Sequence, residues 1–203
     1  MASDGADHDP AGGQVVFSIG HSNYSLDRFL ELLRAHGIEV VVDVRSQPYS
    51  KYSPHFSAPA LKKAVIDTGF KYLYLGRELG GRPDGAEYYD ADGRVFYDKL
   101  AQNSVFLAAI RRVERGASDY RVALMCSEEN PAVCHRHRLV GRVLARRGHS
   151  IRHIRGDGEL HVDADLDTPD DDDPRARGQL ALFELPEETA WKSLHSVLPK
   201  DRL

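Results

Sequence analysis

Cys126, Glu128, Cys134, His135 and Arg136 put two thiols, a carboxylate, an imidazole and a guanidinium within eleven positions. Cys126 closes a hydrophobic run, and Cys134-His135-Arg136 falls where the first turn of a helix is expected. The start of a helix has unpaired N–H groups and a positive dipole end, so it attracts anions and lowers a thiol pKa. Cys134 is therefore the candidate nucleophile and the expected thiolate. Cys126 reads equally well as a small buried hydrophobe. Arg136 offers a planar fork suited to phosphate or carboxylate. Glu128 and His135 are candidates for proton transfer, although Glu128 could simply hold Arg136. The spacing Cys-x7-Cys-His matches no common zinc pattern and no fourth ligand is evident, so no metal site is expected.

Two more polar clusters follow hydrophobic runs. His21, Ser22 and Asn23 come after Val15–Ile19, with Gly20 supplying a tight turn. His21 is a candidate base near neutral pH, and Ser22 and Asn23 are candidate substrate donors. Capping of the next helix accounts for one of these polar groups rather than all. Asp43 and Arg45 come after Ile38–Val42 and flank Val44, so in an extended chain they point the same way. They read either as an ion pair that positions loops or as an acid held ionised, with Arg45 on the substrate. The loop 47–56 interleaves Tyr49, Tyr52 and Phe56 with Lys51 and His55. Such a mixture stacks bases and tracks phosphates, or else packs as a lid.

These clusters must be positioned by regular elements. Val15–Ile19, Ile38–Val42, Tyr72–Leu75, Val122–Met125 and Ser150–Ile154 read as short buried strands. Between them lie helical patterns: from the cap Ser25 to Gly37, from Pro59 to Gly69, from Tyr97 to Glu114 and from Pro131 to Arg147. The arginines at 136, 138, 142, 146 and 147 read as a basic, solvated outer face of the last helix. Strands alternating with helices predict an α/β, Rossmann-like three-layer sandwich with a mainly parallel sheet. In such sheets ligands bind beyond the carboxyl ends of the strands, so all three clusters are expected at one site.

The chain has 203 residues and a net charge of −4. The charge is unevenly spread. Residues 14–160 carry 22 basic and 17 acidic side chains, a net of +5, while 161–203 carry five and 11, a net of −6. The expected organisation is a disordered tail over 1–13, an α/β domain over 14–160, an acidic flexible linker over 161–178 and a C-terminal peptide segment over 179–203. Only two cysteines occur. A disulfide scaffold is therefore not expected, and a reducing cytoplasmic compartment is. No stretch reads as a signal peptide or a membrane span.

Ile-Gly-His-Ser-Asn at 19–23, His-Gly-Ile at 36–38, Val-Asp-Val-Arg-Ser at 42–46, Glu-Leu-Gly-Gly at 78–81 and Cys-x-Glu then Cys-His-Arg at 126–136 stand in this order. The pattern resembles the bacterial and archaeal family catalogued as domain of unknown function 488, over about Val16 to Ile154. The resemblance implies a Rossmann-like domain and the candidates His21, Ser22, Asn23, Asp43, Arg45, Glu128, Cys134, His135 and Arg136. It implies no reaction. A second resemblance lies in Gln179-Leu180-Ala181-Leu182-Phe183, which is similar to the short peptide by which bacterial DNA polymerases and repair proteins bind the replication sliding clamp. There Gln179 would make directional hydrogen bonds, and Leu180, Leu182 and Phe183 would fill an apolar pocket. The competing reading docks these side chains on the chain's own domain.

The sequence thus predicts an enzyme acting on a phosphate-bearing nucleotide or nucleic acid, linked to DNA maintenance. The alternative is a non-catalytic module that binds such a ligand and is recruited to a partner complex. Thiol or metal chemistry at Cys126 and Cys134 is a third reading. No cofactor is named by these residues.

Overall fold

Six β-branched or apolar-rich segments pair into one sheet in a computed structural model that describes residues 13–163, 166 and 191–197. The strands are β1 (Val15–Gly20), β2 (Val40–Asp43), β3 (Lys71–Tyr74), β4 (Val122–Cys126), β5 (Ser150–Ile154) and β6 (Leu160–Val162), in the order β3-β2-β4-β1-β5-β6. The first five run parallel, and β6 returns antiparallel to β5. β1, β2 and β4 are buried along their whole length, which is why they read as unbroken apolar runs.

Alternate residues of each strand feed two cores. Val15, Phe17 and Ile19 meet Phe29 and Leu33 of α1 (Leu26–Ala35) and Leu61 and Val65 of α2 (Ala58–Asp67). Val16, Val42 and Leu124 meet α5 (Ser104–Asp119) and α6 (Arg142–Arg146) on the other face. The chain leaves β1 for one face and the adjacent β4 for the other. That places a topological switch between β1 and β4, where a crevice is expected.

Several elements differ from the sequence reading. Ser25 caps α1 as expected, its side chain accepting from the Arg28 N–H. The helix expected from Tyr97 is broken into α4 (Tyr97–Ala101) and α5, because Asn103 caps a new start with its side chain on the N–H groups of Val105 and Phe106. A short α3 (Gly76–Leu79) follows β3. The helix expected from Pro131 begins with one 3-10 turn, Pro131–Val133. It continues as a π-helical stretch, Arg136–Gly141, before α6. β6 and Asp163 fall in the stretch expected to be linker. Trp191–Val197, expected in a tethered segment, also packs on the domain. Its Trp191 Nε1 donates to the Arg138 carbonyl, and Arg142 and Arg146 stack on the indole at 4.7 and 5.0 Å. Those two arginines were expected to face solvent, as were Arg136 and Arg138, which are buried.

Candidate functional site at the carboxyl strand ends

The ends of β1, β2 and β4 are tied to one another by backbone bonds. His21 N–H donates to the Cys126 carbonyl, Ser22 N–H to Ser127 and Val44 N–H to Met125. Gly20 is required by this closeness, since a Cβ there would lie 1.8 Å from the Glu128 carbonyl oxygen. Ser22 takes a positive φ of 47°, the conformation that turns the chain into α1.

Asp43 and Arg45 form a closed unit. Arg45 donates from Nε to Asp43 Oδ1 at 2.9 Å and from NH2 to Oδ2 at 2.6 Å, and the Tyr72 hydroxyl donates to Oδ2 at 2.7 Å. The remaining Arg45 nitrogen donates to the Phe56 carbonyl at 2.8 Å and to His21 Nε2 at 3.1 Å. His21 donates from Nδ1 to the Ser22 carbonyl at 2.8 Å and stacks on Phe56 at 4.2 Å. Burial, then the Arg45 charge, pushes the His21 pKa down to about 4. The imidazole is neutral at pH 7 with both nitrogens occupied. His21, Asp43 and Arg45 are all buried. They brace the loop 46–57 over the strand ends and present no group to the solvent side.

Arg136 is likewise turned inward. It is fully buried, and its guanidinium donates to Ser18 Oγ at 3.2 Å, to the Glu128 carbonyl and to the Glu129 carbonyl at 2.7 Å. It holds the 128–129 loop against β1. The Glu128 side chain does not serve to hold Arg136; Glu128 is exposed, as is Asn23.

Cys126, Cys134 and His135 form a second unit beside the first. His135 Nδ1 lies 3.8 Å from each sulfur. His135 Nε2 is 2.9 Å from the Val44 carbonyl, an acceptor, so Nε2 carries a hydrogen and Nδ1 is the atom that faces the sulfurs. A hydrogen bond from Cys134 and the neighbouring His135 hold Cys126 well below the usual thiol range despite its burial. Burial, and donation to Cys126, raise Cys134. This is the reverse of what the helix start alone implies, because both sulfurs are buried and Cys134 is the donor of the pair.

The loop 46–57 that Arg45 holds carries an exposed rim of another kind. Tyr49 and Tyr52 are 74% and 93% exposed, and Lys51 stands between them. Arg82, also exposed, joins this loop through its backbone N–H to Ser46 Oγ at 2.9 Å and its side chain to Gln47 Oε1 at 3.2 Å. Arg82, Tyr72 and Gly81 were not singled out by sequence reasoning. The Glu-Leu-Gly-Gly motif pointed near them without giving a role. Gln179, Leu180, Leu182 and Phe183 lie outside the described residues.

Among known proteins, the model of a family described as domain of unknown function DUF488 matches residues 25–143. The matched span carries Asp43, Arg45 and the whole 126–136 cluster, and begins just after His21, Ser22 and Asn23. No curated protein and no solved structure matches the chain.

Proposed function

The chain belongs to the DUF488 family, and for it we propose an enzyme that acts on a phosphate-bearing nucleotide or single-stranded nucleic acid at the carboxyl ends of β1, β2 and β4. The observation that carries this reading is the rim: two nearly bare tyrosines around Lys51, with Arg82 alongside, on loops braced by the buried His21–Arg45–Asp43 unit. A soluble domain exposes aromatic rings at such a density where they are used, and aromatic faces with cations fit stacked bases and phosphates. The internal pairing of Arg45 and Arg136 moves anion binding to Lys51 and Arg82. It leaves exposed Glu128 as the candidate for proton transfer, since both nitrogens of His135 are engaged by Val44 and the two sulfurs.

The alternative, a binding module without catalysis, keeps the rim and drops the chemistry. A role in DNA maintenance is supported by the clamp-like segment 179–183 alone. A cytoplasmic setting is supported by the two cysteines, which are free thiols. No helix among the described residues is long and apolar enough to cross a membrane.

The test uses a fluorescent oligo-dT and a labelled ATP analogue as probes. Binding of either should weaken with salt, since phosphate contacts release counterions. Tyr52→Ala should cost about 1–3 kcal/mol of affinity, as for loss of one stacked base. Glu128→Gln should keep binding and lose turnover if the protein is an enzyme. Absence of binding for both probes at low salt sinks the reading. A peptide spanning 177–185 should bind a bacterial sliding clamp at roughly micromolar Kd, about −8 kcal/mol, and a peptide carrying Leu182→Ala and Phe183→Ala should not.

A further inference from the structure

The geometry points to a metal site: one thiophilic divalent ion of the zinc class held by Cys126 Sγ, Cys134 Sγ and His135 Nδ1, with one coordination position left for an outside ligand.

Geometry carries the inference first. In a tetrahedral site, Zn–S bonds of about 2.3 Å and a Zn–N bond of about 2.05 Å set the S···N edges near about 3.6 Å and the S···S edge near about 3.8 Å. Both S···N separations in this chain are 3.8 Å, and all three donor atoms lie within 4.8 Å of one another. The two S···N edges of that polyhedron are thus nearly set, and the S···S edge lies within the 4.8 Å bound. The sequence spacing hid this, because Cys126 comes from a strand end and Cys134-His135 from the turn after a loop. The fold closes the distance.

The surroundings are those of a ligand set. A metal-binding imidazole normally donates its other N–H to a fixed acceptor, which sets the tautomer. His135 does so to the Val44 carbonyl at 2.9 Å. Thiolates bound to metal accept backbone N–H groups, and the Arg136 N–H donates to Cys134 Sγ at 3.5 Å. The ring is further held by Gly81, where a Cβ would lie 2.9 Å from His135 Cγ. Two thiolates would neutralise a divalent ion, so the buried site would gain no net charge on loading. Cys126 and Cys134 are buried while His135 is partly exposed. The cluster is thus not sealed from solvent.

No fourth side chain joins the group among the described residues. Structural zinc sites fill four positions with protein, whereas catalytic ones use three and leave one for water or substrate. The donor set here is of the second kind. The inference comes from these three residues only and does not rest on the nucleotide reading.

The full-length protein, reduced and then freed of reductant, is titrated with Co2+, and Zn2+ is added in competition. One Co2+ per chain should give a thiolate-to-cobalt charge-transfer band and the visible bands of a tetrahedral ion, both erased by Zn2+. Cys126→Ser, Cys134→Ser and His135→Gln should each weaken uptake by more than about tenfold. Asp163→Ala, outside the site, should leave the spectrum unchanged. A folded, reduced wild-type protein with no charge-transfer band overturns the proposal, whatever the variants do. So does a band that survives Cys126→Ser, or a Cys126–Cys134 disulfide that persists in protein isolated under reducing conditions. No arm uses a nucleotide, so a failure here and a failure of oligonucleotide binding are told apart.

Discussion

His135 and His137 stand two residues apart on one turn and belong to clusters of equal size and opposite character. The first sets one imidazole nitrogen of His135 against the sulfurs of Cys126 and Cys134. The second joins His137 Nδ1 and His153 Nε2 to the same oxygen of Asp163. What separates them is the partner on the far side of each ring. The Val44 carbonyl can only accept, so it fixes the hydrogen of His135 on Nε2. At His153 the far partner is Ser18. Arg136 Nε donates to Ser18 Oγ, Ser18 in turn donates to His153 Nδ1 at 2.6 Å, and Nε2 keeps its hydrogen for Asp163. Three residues with ligand-type atoms make a metal site in one place and a closed hydrogen-bond chain in the other. The tautomer decides, and a neighbour decides the tautomer. The second cluster is structural and fastens Asp163, just past β6, under the π-helical stretch.

The harshest way to break the comparison is Arg136→Ala, since this side chain feeds Ser18 of the second cluster and ties down the 128–129 loop. It would strand buried Ser18 and two part-buried loop carbonyls. The expected loss is about 3–5 kcal/mol, read by chemical denaturation, because a buried charge-assisted network is removed without replacement. A loss below about 1 kcal/mol, the net worth of one ordinary hydrogen bond, would return Arg136 to the role of a ligand anchor. Next in size is Asp163→Ala, which leaves two buried imidazole N–H groups without an acceptor. We expect about 2–3 kcal/mol, with the Co2+ spectrum of the first cluster intact.

Acid should act in the same direction. Burial lowers the pKa of His153 and brings His21 to about 4. The unfolded chain therefore takes up protons first as pH falls below about 6.5, so stability is full above that value and declines toward pH 4. His21 alone would account for a loss on the order of 3 kcal/mol. Lower still, burial would raise Asp163, but hydrogen bonds from His137 and His153 outweigh it and hold its pKa at about 2. Its contribution is present above about 3.8 and is lost between there and 2. A thermal midpoint that does not move from pH 7 to pH 4 breaks this account. The finest test costs no stability at all. Nitrogen-15 NMR of the imidazoles should find His135 protonated on Nε2 and His137 on Nδ1. The opposite tautomer at His135 would dissolve the contrast between the clusters.

How far the site was legible depended on which neighbours were near in sequence. Ser25 before an apolar stripe gave the start of α1, because capping is a local exchange between one side chain and an N–H three residues on. The buried runs of β1, β2 and β4 gave the parallel sheet, and the sheet placed three polar clusters at its carboxyl edge. The break at Asn103 and the return of β6 were missed. Both lie in segments whose pattern also suits a longer helix or a linker.

The sequence by itself determined the α/β fold and the edge of the sheet on which polar side chains would collect, because periodicity and turn chemistry act over a few residues. Only the tertiary structure decided what each of those side chains does. Arg45 and Arg136 have the charge of anion binders in any sequence reading, yet the first is closed on Asp43 and the second on Ser18 and two loop carbonyls. Cys126 and Cys134 match no metal spacing, yet their sulfurs share one imidazole nitrogen. The physical reason is that a buried donor or acceptor must be satisfied wherever a partner is found, and here the partners lie dozens of residues away along the chain.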